Sequence, residues 1–450
     1  MDAIVSLLAC LDPMLTPTLS RQFSRIALAL LTMSGRVTML GLSRWTGQGG
    51  SYRTVQRLFA TVLPWASLFW LFVRTHCLRS DDVYLLAGDE VVVTKAGKHT
   101  HGLDRFFSSL YGKPVPGVAF FALSLLSTRD RHSFPIRVEQ VVRDPADPPA
   151  VPPRHRRTKS PPSATPPRRG RPKGSKNTDK TAVPLTAELQ RIKGMVQGLL
   201  QLIGGVGPLT YLVLDGHFGT NAAVQMTRQS DLHLISKLRA DSALYLRYEG
   251  PYAARGPRRT YGDKLDYGAL PERYLHQTTM EDDIETRIYH VEALHKEFAQ
   301  ALNVVIMVKT NVKTKARAHV VLFSSDLTLP WQKVLAYYCL RFQIEFNFRD
   351  AKQFWGLEDF MNIRPTAVTN AANLALFMVN VSYRCLQDMR QTHPECSVLD
   401  LKAHYRGAKY VEEMLKMLPD KPEPILVAQI SAKIASLGRI HAVPPESLAS

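Results

Sequence analysis

Cysteines, long apolar runs and a basic leader are scarce or missing in this 450-residue sequence, and each shortage argues against a class of protein. The five cysteines are odd in number and scattered without a C-x-x-C pair, which argues against a disulfide framework or a zinc site. The longest apolar stretch, residues 61–73, contains Pro64 and is shorter than the roughly 18 residues of a membrane span. The start at Met1 and Asp2 lacks the basic n-region of a secretory signal. We therefore expect a soluble cytoplasmic protein that spans no membrane.

Positive charge, in contrast, is in clear excess. The sequence holds 57 Lys and Arg residues against 39 Asp and Glu, a net charge of +18. Such an excess is informative about partners, because a basic protein attracts polyanions such as nucleic acid. Since 45% of the residues are hydrophobic, the chain can also bury the cores of roughly two or three domains. We expect a globular protein that binds nucleic acid.

The apolar pattern divides the chain into helical, strand-rich and extended segments. Residues 143–182 are rich in Pro, Lys and Arg and lack large apolar side chains, which predicts an extended linker. Strands alternating with helices on both sides of the linker predict an α/β core with a mixed sheet. The predicted domains, in chain order, are a helical domain (1–78), a first core segment (79–142), the linker (143–182), a second core segment (183–240), a β-rich insertion (241–300), a third core segment (301–390) and a C-terminal helical region (391–450).

Three acidic residues lie where predicted strands end or on a predicted helix. Asp89 comes two residues after the predicted strand 83–87, Asp215 ends another strand, and Glu345 lies in a helical run at 333–354. Burying a lone carboxylate is costly, so such acids need a cation. Clustered carboxylates bind hard divalent ions, and two ions about 3.5–4 Å apart can promote phosphodiester cleavage. Each Asp taken alone could equally be a turn former or a helix cap.

Two neighbouring acids are rivals to these three. Glu90 follows Asp89 directly, so its side chain should point to the opposite face of the strand. Asp326 precedes Leu327 and Pro330, and we interpret it as a turn or cap residue. His217, close to Asp215, is expected to be a structural neighbour of the site. Asp89, Asp215 and Glu345 remain the predicted metal-binding set.

Four residues of the helical run share one predicted face. Tyr338, Arg341, Glu345 and Lys352 stand at offsets of 0, 3, 7 and 14, which places them in one stripe of an α-helix. An acid flanked by two cations and a phenol suits a metal-bound phosphodiester, because the acid can hold the ion and the cations the phosphates. A solvated helix face could also show these charges by chance.

The stripe resembles the Y-x2-R-x3-E-x6-K signature of bacterial insertion-sequence transposases of the DDE type. The segments Ala87–Glu90 and Leu214–Gly219 are similar to the first and second acidic motifs of that group. The resemblance implies a ribonuclease-H-like mixed sheet flanked by helices. It also implies that Asp89, Asp215 and Glu345 are catalytic and hold two Mg²⁺ ions, with Mn²⁺ as a substitute.

The same resemblance implies a reaction and its partners. Arg341 and Lys352 would grip phosphates of the transposon end, and Tyr338 would contact a phosphate or an unstacked base. The enzyme would cleave double-stranded DNA at the ends of the element and join them to target DNA, acting as a homodimer on the bacterial nucleoid. A metal-dependent nuclease that cuts without joining is one alternative. A non-catalytic protein that binds AT-rich DNA is another, which the intact acidic triad argues against.

Three further basic segments are candidates for DNA contacts. The linker contains Arg168, Arg169, Arg171 and Lys173 in an Arg-Gly-Arg-Pro context that looks like an AT-hook, which would enter the minor groove. A merely solvated linker is the alternative.

Near the N-terminus, the residues around 38–59 have the pattern of a helix, a glycine-rich turn and a basic helix. Ser51 is a suitable N-cap, and Arg53, Gln56 and Arg57 share the exposed face of the second helix. This pattern predicts a helix-turn-helix-like element, with an ordinary amphipathic pair as the alternative. In the insertion, Arg258 and Arg259 are candidates for backbone contacts, unless they form a solvated hairpin tip.

Overall fold

The computed structural model describes residues 2–47, 50–108, 112–143, 179–205, 209–252, 256–420 and 422–441. Within these ranges the chain is a mixed α/β protein, with one large mixed sheet and helices packed around it. The AT-hook-like residues Arg168, Arg169, Arg171 and Lys173 lie outside the described residues.

Helices fill the N-terminal region of the chain, where apolar residues recur at helical spacing. The inner face of the second helix buries Phe23, Ile26 and Leu30, so that its polar residues face outward. The helices of this region are α1 (Asp2–Leu8), α2 (Pro17–Thr32), α3 (Met39–Trp45), α4 (Tyr52–Ala60) and α5 (Trp65–His76), with a 3-10 helix at Ala9–Met14.

The described residues form a sheet of twelve strands. The strands are β1 (Tyr84–Thr94), β2 (Asp104–Ser108), β3 (Lys113–Ser127), β4 (His132–Val141), β5 (Tyr211–Val213), β6 (His233–Leu238), β7 (Leu244–Arg247), β8 (Tyr261–Lys264), β9 (Leu275–Glu281), β10 (Ile284–His295), β11 (Leu302–Asn311) and β12 (Arg317–Ser324). Their order is β2-β3-β1-β5-β6-β12-β11-β10-β7-β8, with β4 on β3 and β9 on β10. Neighbours β1, β5 and β6 run parallel, and the other pairs are antiparallel.

The remaining helices cover the sheet. They are α6 (Ala187–Ile203), α7 (Asn221–Arg228), α8 (Trp331–Leu340), α9 (Gln343–Phe354), α10 (Pro365–Arg390), α11 (Val398–Leu415) and α12 (Pro424–Ser436). The longest, α10, is buried along most of its length and packs against β4, α4, α5 and α9. The N-terminal helices and the sheet therefore share one hydrophobic core.

One face of the sheet is covered by α8. Ala87 of β1, Val213 of β5 and Ile235 of β6 are fully buried in a cluster with Val334 and Leu340 of that helix. Because side chains alternate between the faces of a strand, residues two positions further along each strand point to the same side. The end of α8 therefore faces the positions that follow this apolar row.

Two sequence-based boundaries need correction. The predicted helix 333–354 is not continuous: α8 ends at Leu340 and α9 begins at Gln343. At the junction, Glu345 N–H donates to Phe342 O, three residues back, so a tighter turn replaces the α-helical ladder. Asp89 does not follow a strand at 83–87 but lies inside β1, because the strand continues in antiparallel pairing with β3.

The described portion of the chain contains no single helix that is long and apolar enough to cross a membrane. Helices α4 and α5 satisfy the length and composition criteria only when taken as a pair, and that pair is bent by 99°.

Candidate active site

Asp89 and Asp215 are placed side by side by two parallel strands. Strand β1 pairs with β5 with Ala87 opposite Val213, and the same register carried two residues further sets Asp89 beside Asp215. Asp215 also begins the 3-10 helix that follows β5, because its Oδ1 accepts a hydrogen bond from His217 N–H at 3.1 Å. The two aspartates therefore lie at one level of the sheet, on the face that α8 covers.

Arg341, at the junction of α8 and α9, links Asp89 to Glu345. Its Nη1 donates to Asp89 Oδ2 at 2.7 Å, and its Nη2 donates to Glu345 Oε1 at 3.4 Å. The arginine side chain is only 12% exposed, whereas the Glu345 side chain is 43% exposed. The guanidinium thus lies between two carboxylates. Asp89 is in strand β1, 252 residues away in sequence, and Glu345 is in helix α9, 4 residues away.

The electrostatics of Asp89 reflect all three acids. Burial raises the pKa of Asp89 above its ordinary value, and the positive charge of Arg341 only partly opposes that rise. The negative charges of Asp215 and Glu345 raise the pKa of Asp89 further. The three carboxylates therefore share one electrostatic neighbourhood, in which a further cation would be stabilising.

Tyr338 and Lys352 differ in how close they come to these acids. Tyr338 lies one turn before Arg341, with its ring centroid 5.9 Å from the guanidinium carbon, and burial raises the pKa of its phenol. Lys352 is directed away: its Nζ donates to Val92 O at 3.0 Å and pairs with Glu358 at 3.2 Å. The structure brings Tyr338 to the acidic cluster and ties Lys352 to β1 and the loop after α9.

The residues predicted to contact DNA in the N-terminal helices are on the surface. Arg53, Gln56 and Arg57 lie on the exposed side of α4, while Val55 and Leu58 on the other side are buried. The predicted N-cap is present, since Ser51 Oγ accepts a hydrogen bond from Thr54 N–H.

Arg258 and Arg259 lie in an exposed segment just before β8. The Arg259 guanidinium stacks over the Tyr248 ring at 4.7 Å, and its Nε donates to Tyr261 O at 2.8 Å. Both arginines are exposed, so the same surface suits either a contact with DNA or a solvated hairpin tip.

The two rival acids lie elsewhere. Glu90 faces α6, where burial raises the pKa of its carboxyl and the charge of Arg191 opposes that rise. Asp326 accepts hydrogen bonds from the Tyr211 hydroxyl at 2.7 Å and from Thr328 N–H at 2.9 Å, as a turn residue does.

Sequence reasoning missed three residues that shape the site. Ser236 Oγ donates to the backbone oxygen of Asp215 at 2.6 Å and fixes that loop on β6. Its neighbour Lys237 is the position opposite Asp215 when the β5–β6 register is continued. Gly88 leaves no room for a side chain, since a Cβ there would be 2.7 Å from the Phe121 ring. Only Gly88 carried a usable signal, because it directly precedes the predicted acid.

The acids fit a metal ion by their chemistry, although they are not yet arranged around one. Among the described residues, no three His, Cys, Asp or Glu side chains are close enough to hold one ion as they stand. The donor chemistry nevertheless fits, because carboxylate oxygens are the ligands that hard divalent cations take. Arg341 already serves as a cation shared by Asp89 and Glu345, so these carboxylates accommodate a positive charge between them.

The mixed α/β fold is consistent with that of a DDE nuclease. The chain belongs to the DDE superfamily endonucleases, since the model of that family matches residues 8–297, more than half of its length. Asp89 and Asp215 lie within the match, and Glu345 lies beyond it. No curated protein matches the sequence. Membership implies a transposase- or nuclease-type enzyme that acts on DNA, and enzymes of this superfamily generally use divalent metal ions.

Proposed function

We propose that the protein is a DNA transposase with a ribonuclease-H-like core, in which Asp89, Asp215 and Glu345 form the cleavage site. The observation that carries the proposal is the convergence on Arg341, whose guanidinium contacts Asp89 and Glu345 while Asp215 raises the pKa of Asp89. Two of these acids pair with one cation, and the third is close enough to raise the pKa of Asp89. Carboxylates grouped in this way are the donor set that Mg²⁺ or Mn²⁺ would occupy.

In this proposal some residues of the site bind the metal ions and others contact the DNA. Asp89, Asp215 and Glu345 would hold two divalent ions, which supply charge neutralisation and activation of the attacking oxygen when bound. Arg341, released from the carboxylates, would be free to pair with a DNA phosphate, and Tyr338 would lie against the same strand. Lys352, through its contact with β1, would hold α9 in place beside the sheet.

The reaction we propose has two stages. The first is a hydrolysis, and the second exchanges one phosphodiester bond for another. Water attacks the phosphorus at the element end and the P–O3′ bond breaks, which leaves a 3′-hydroxyl on one strand end and a 5′-phosphate on the other. That hydroxyl then attacks a target phosphate in line, so that one phosphodiester bond forms as another breaks. Joining two ends to one target requires two copies of the enzyme, which supports a homodimer in the DNA complex.

DNA binding outside the cleavage site is assigned to exposed basic surfaces. We assign Arg53, Gln56 and Arg57 of α4 to the groove of the element end, because their face is free of packing. Arg258 and Arg259 are assigned to the DNA backbone. The AT-hook-like linker is assigned to A·T-rich minor groove.

The test is cleavage of a supercoiled plasmid that carries the chromosomal DNA flanking the coding sequence. With Mg²⁺ the wild-type protein should cut the flanking DNA and give joined products. Asp89→Asn, Asp215→Asn and Glu345→Gln should lose cleavage by a factor of about 10³ or more while retaining DNA binding in a gel shift. Asp263→Asn, an exposed aspartate of β8, is the matched control.

The reaction products also distinguish a transposase from the second candidate, a nuclease that cuts DNA without joining it. The matching family is described as an endonuclease, a description that covers an enzyme that cuts without joining. Cut ends without joined products would identify a nuclease. Full activity of any one triad variant would remove that residue from the site.

A further inference from the structure

A lysine extends the row of aspartates across the sheet. Strand β6 runs parallel to β5 with Val213 opposite Ile235, so the register carried two residues further sets Asp215 beside Lys237. Strand β12 confirms the side on which this lysine lies, because Lys237 is paired with Leu322, which is buried under α8. By this register Asp89 in β1, Asp215 just after β5 and Lys237 in β6 fall at one level, on the face where Arg341 enters.

Packing holds this lysine against the loop of the second acid. A Cβ on Gly216 would be 2.9 Å from Lys237 Cε, so the loop after Asp215 lies directly on the lysine side chain. Ser236, the residue before it, donates to Asp215 O at 2.6 Å. The loop after Asp215 is therefore held against β6 by the packing of Gly216 on Lys237 and by the hydrogen bond from Ser236.

Among the residues that the structure describes, none pairs with the charge of Lys237. Lys237 is exposed, and its ammonium makes no ion pair or hydrogen bond with any residue that the structure describes. Arg341, in contrast, pairs with Asp89 and Glu345, and Lys352, which is directed away from these acids, pairs with Glu358. An exposed ammonium beside an acidic cluster, but not paired with it, remains available for an anion that approaches from solvent.

We propose that Lys237 is a DNA-phosphate contact that positions the strand to be cut over Asp89 and Asp215. The inference rests on the proposed function, because it assigns part of the substrate contact of the same site. A flexible point charge suits this place, since it can follow a phosphate during the reaction without a fixed bidentate geometry. Lys237 lies outside the signature stripe of α8 and α9, so it would contact the strand from the sheet side.

The test compares Lys237→Ala and Lys237→Arg with a matched control, Lys309→Ala. Lys309 is also an exposed strand lysine of the same sheet without an ion pair to a described residue. Binding of a labelled duplex from the flanking DNA is measured over a range of salt concentrations. Loss of one phosphate contact should reduce the slope of log K against log salt by about 0.9. Cleavage by Lys237→Ala should fall about tenfold, and Lys237→Arg should restore most of it.

The outcomes distinguish this inference from the proposed function. If Lys237→Ala keeps the wild-type slope and rate, the phosphate contact is wrong. If the slope is unchanged but Mn²⁺ binds with altered affinity, Lys237 acts on the charge of the acids, and the contact is again wrong. If wild-type protein binds the duplex but never cuts it, the proposed function fails, while a reduced slope for Lys237→Ala would still support the contact. Thermal unfolding of each variant checks that the fold is retained.

Discussion

Arg341 is the residue on which the present arrangement of the acids most directly depends. It contacts Asp89 and Glu345 from a position that is nearly buried. A buried carboxylate with one cation partner is costly to keep charged, which explains why the pKa of Asp89 stays above its ordinary value. The buried carboxylate of Asp89 therefore costs stability when it is charged, even with Arg341 beside it.

The raised pKa of Asp89 gives a stability prediction with a defined sign. The unfolded chain releases this proton at the ordinary aspartate pKa, about 3.9, and the folded protein only at a higher pH. Between these two values the folded state holds the extra proton, so stability falls as pH rises and the loss is complete above the folded pKa. Asp89→Asn should therefore unfold at a higher temperature than wild type at pH 7 in metal-free buffer.

Calorimetry in EDTA measures this difference. It should shrink toward zero as pH falls from the raised pKa of folded Asp89 to the ordinary aspartate value, and the exposed-site variant Asp263→Asn should show no gain. Addition of Mn²⁺ should stabilise the wild-type protein and not Asp89→Asn. If Asp89→Asn is less stable than wild type at pH 7, the ion pair with Arg341 outweighs the cost of burying the Asp89 carboxylate, and the prediction is wrong.

Gly88 gives a second prediction at the residue scale. A Cβ there would be 2.7 Å from the Phe121 ring and 2.9 Å from Leu214, both in the buried core. Gly88→Ala should therefore destabilise the fold by about 1–3 kcal/mol through overpacking. Gly194→Ala in α6 is the matched control, because a Cβ there meets nothing within 4 Å and helix propensity should stabilise it by about 0.5–1 kcal/mol. Unfolding in denaturant measures the free energy of unfolding of both variants. Equal changes for Gly88→Ala and Gly194→Ala would refute the steric argument.

At the scale of elements, α11 joins the N-terminal helices to the helix that carries Glu345. The buried ammonium of Lys402 donates to Leu30 O in the last turn of α2 at 2.6 Å and to Phe354 O at the end of α9 at 3.3 Å. It also lies 4.7 Å from the Trp355 ring. One side chain thus caps the C-terminal ends of two helices, where a cation is favourable.

Removal of this cap should be measurable. Lys402→Met leaves buried carbonyls without a donor and should cost about 1–3 kcal/mol at pH 7, whereas Lys433→Met on the exposed side of α12 should be neutral. Burial lowers the pKa of Lys402 to about 8, from an ordinary value of 10.5. Between these values the unfolded chain holds more protons, so the stability contributed by Lys402 rises with pH, and the variant should lack that rise. Unfolding in denaturant at pH 7 and at about pH 9.5 tests both statements; a neutral Lys402→Met would remove the capping role.

The elements also show how far the sequence could be read. Helices and strands with clear periodicity, such as α4 with its Ser51 cap and the buried β5, are predictable because local pattern and burial agree. The break between α8 and α9 was not predictable, because the tight turn at Phe342 accompanies the contact of Arg341 with a residue 252 positions away. A stripe drawn on a continuous helix consequently placed Lys352 in the site, whereas the structure ties it to β1.

The sequence predicts that these acids need a positively charged partner, but it does not predict which residues lie next to them. A carboxylate after or within an apolar strand implies a cation partner, which was enough to select Asp89 and Asp215. Which strands are adjacent, and in what register, is decided by pairing between segments more than a hundred residues apart. Lys237 could therefore not be found from its local sequence, since only the register of β5 and β6 sets it beside Asp215.

At the scale of the whole molecule, the helix that carries exposed basic residues, α4, is anchored on the same hydrophobic core as the sheet. Asn370 of α10 accepts a hydrogen bond from Trp65 Nε1 at 2.7 Å and donates to Phe59 O and Thr61 O, which fixes the junction of α4 and α5 on the core. The basic face of α4 is thereby held in a constant relation to the acids of the sheet. A net charge of +18 favours association with a polyanion such as DNA, with a strong dependence on salt.

The most direct test of the central claim, that the three acids form one metal site, is the anomalous signal of Mn²⁺ in crystals of the wild-type protein soaked with that ion. The account predicts manganese peaks within ligand distance of Asp89, Asp215 and Glu345, with the Arg341 guanidinium moved out from between the carboxylates. Manganese bound elsewhere, with Arg341 still paired to Asp89 and Glu345 in saturating Mn²⁺, would contradict it.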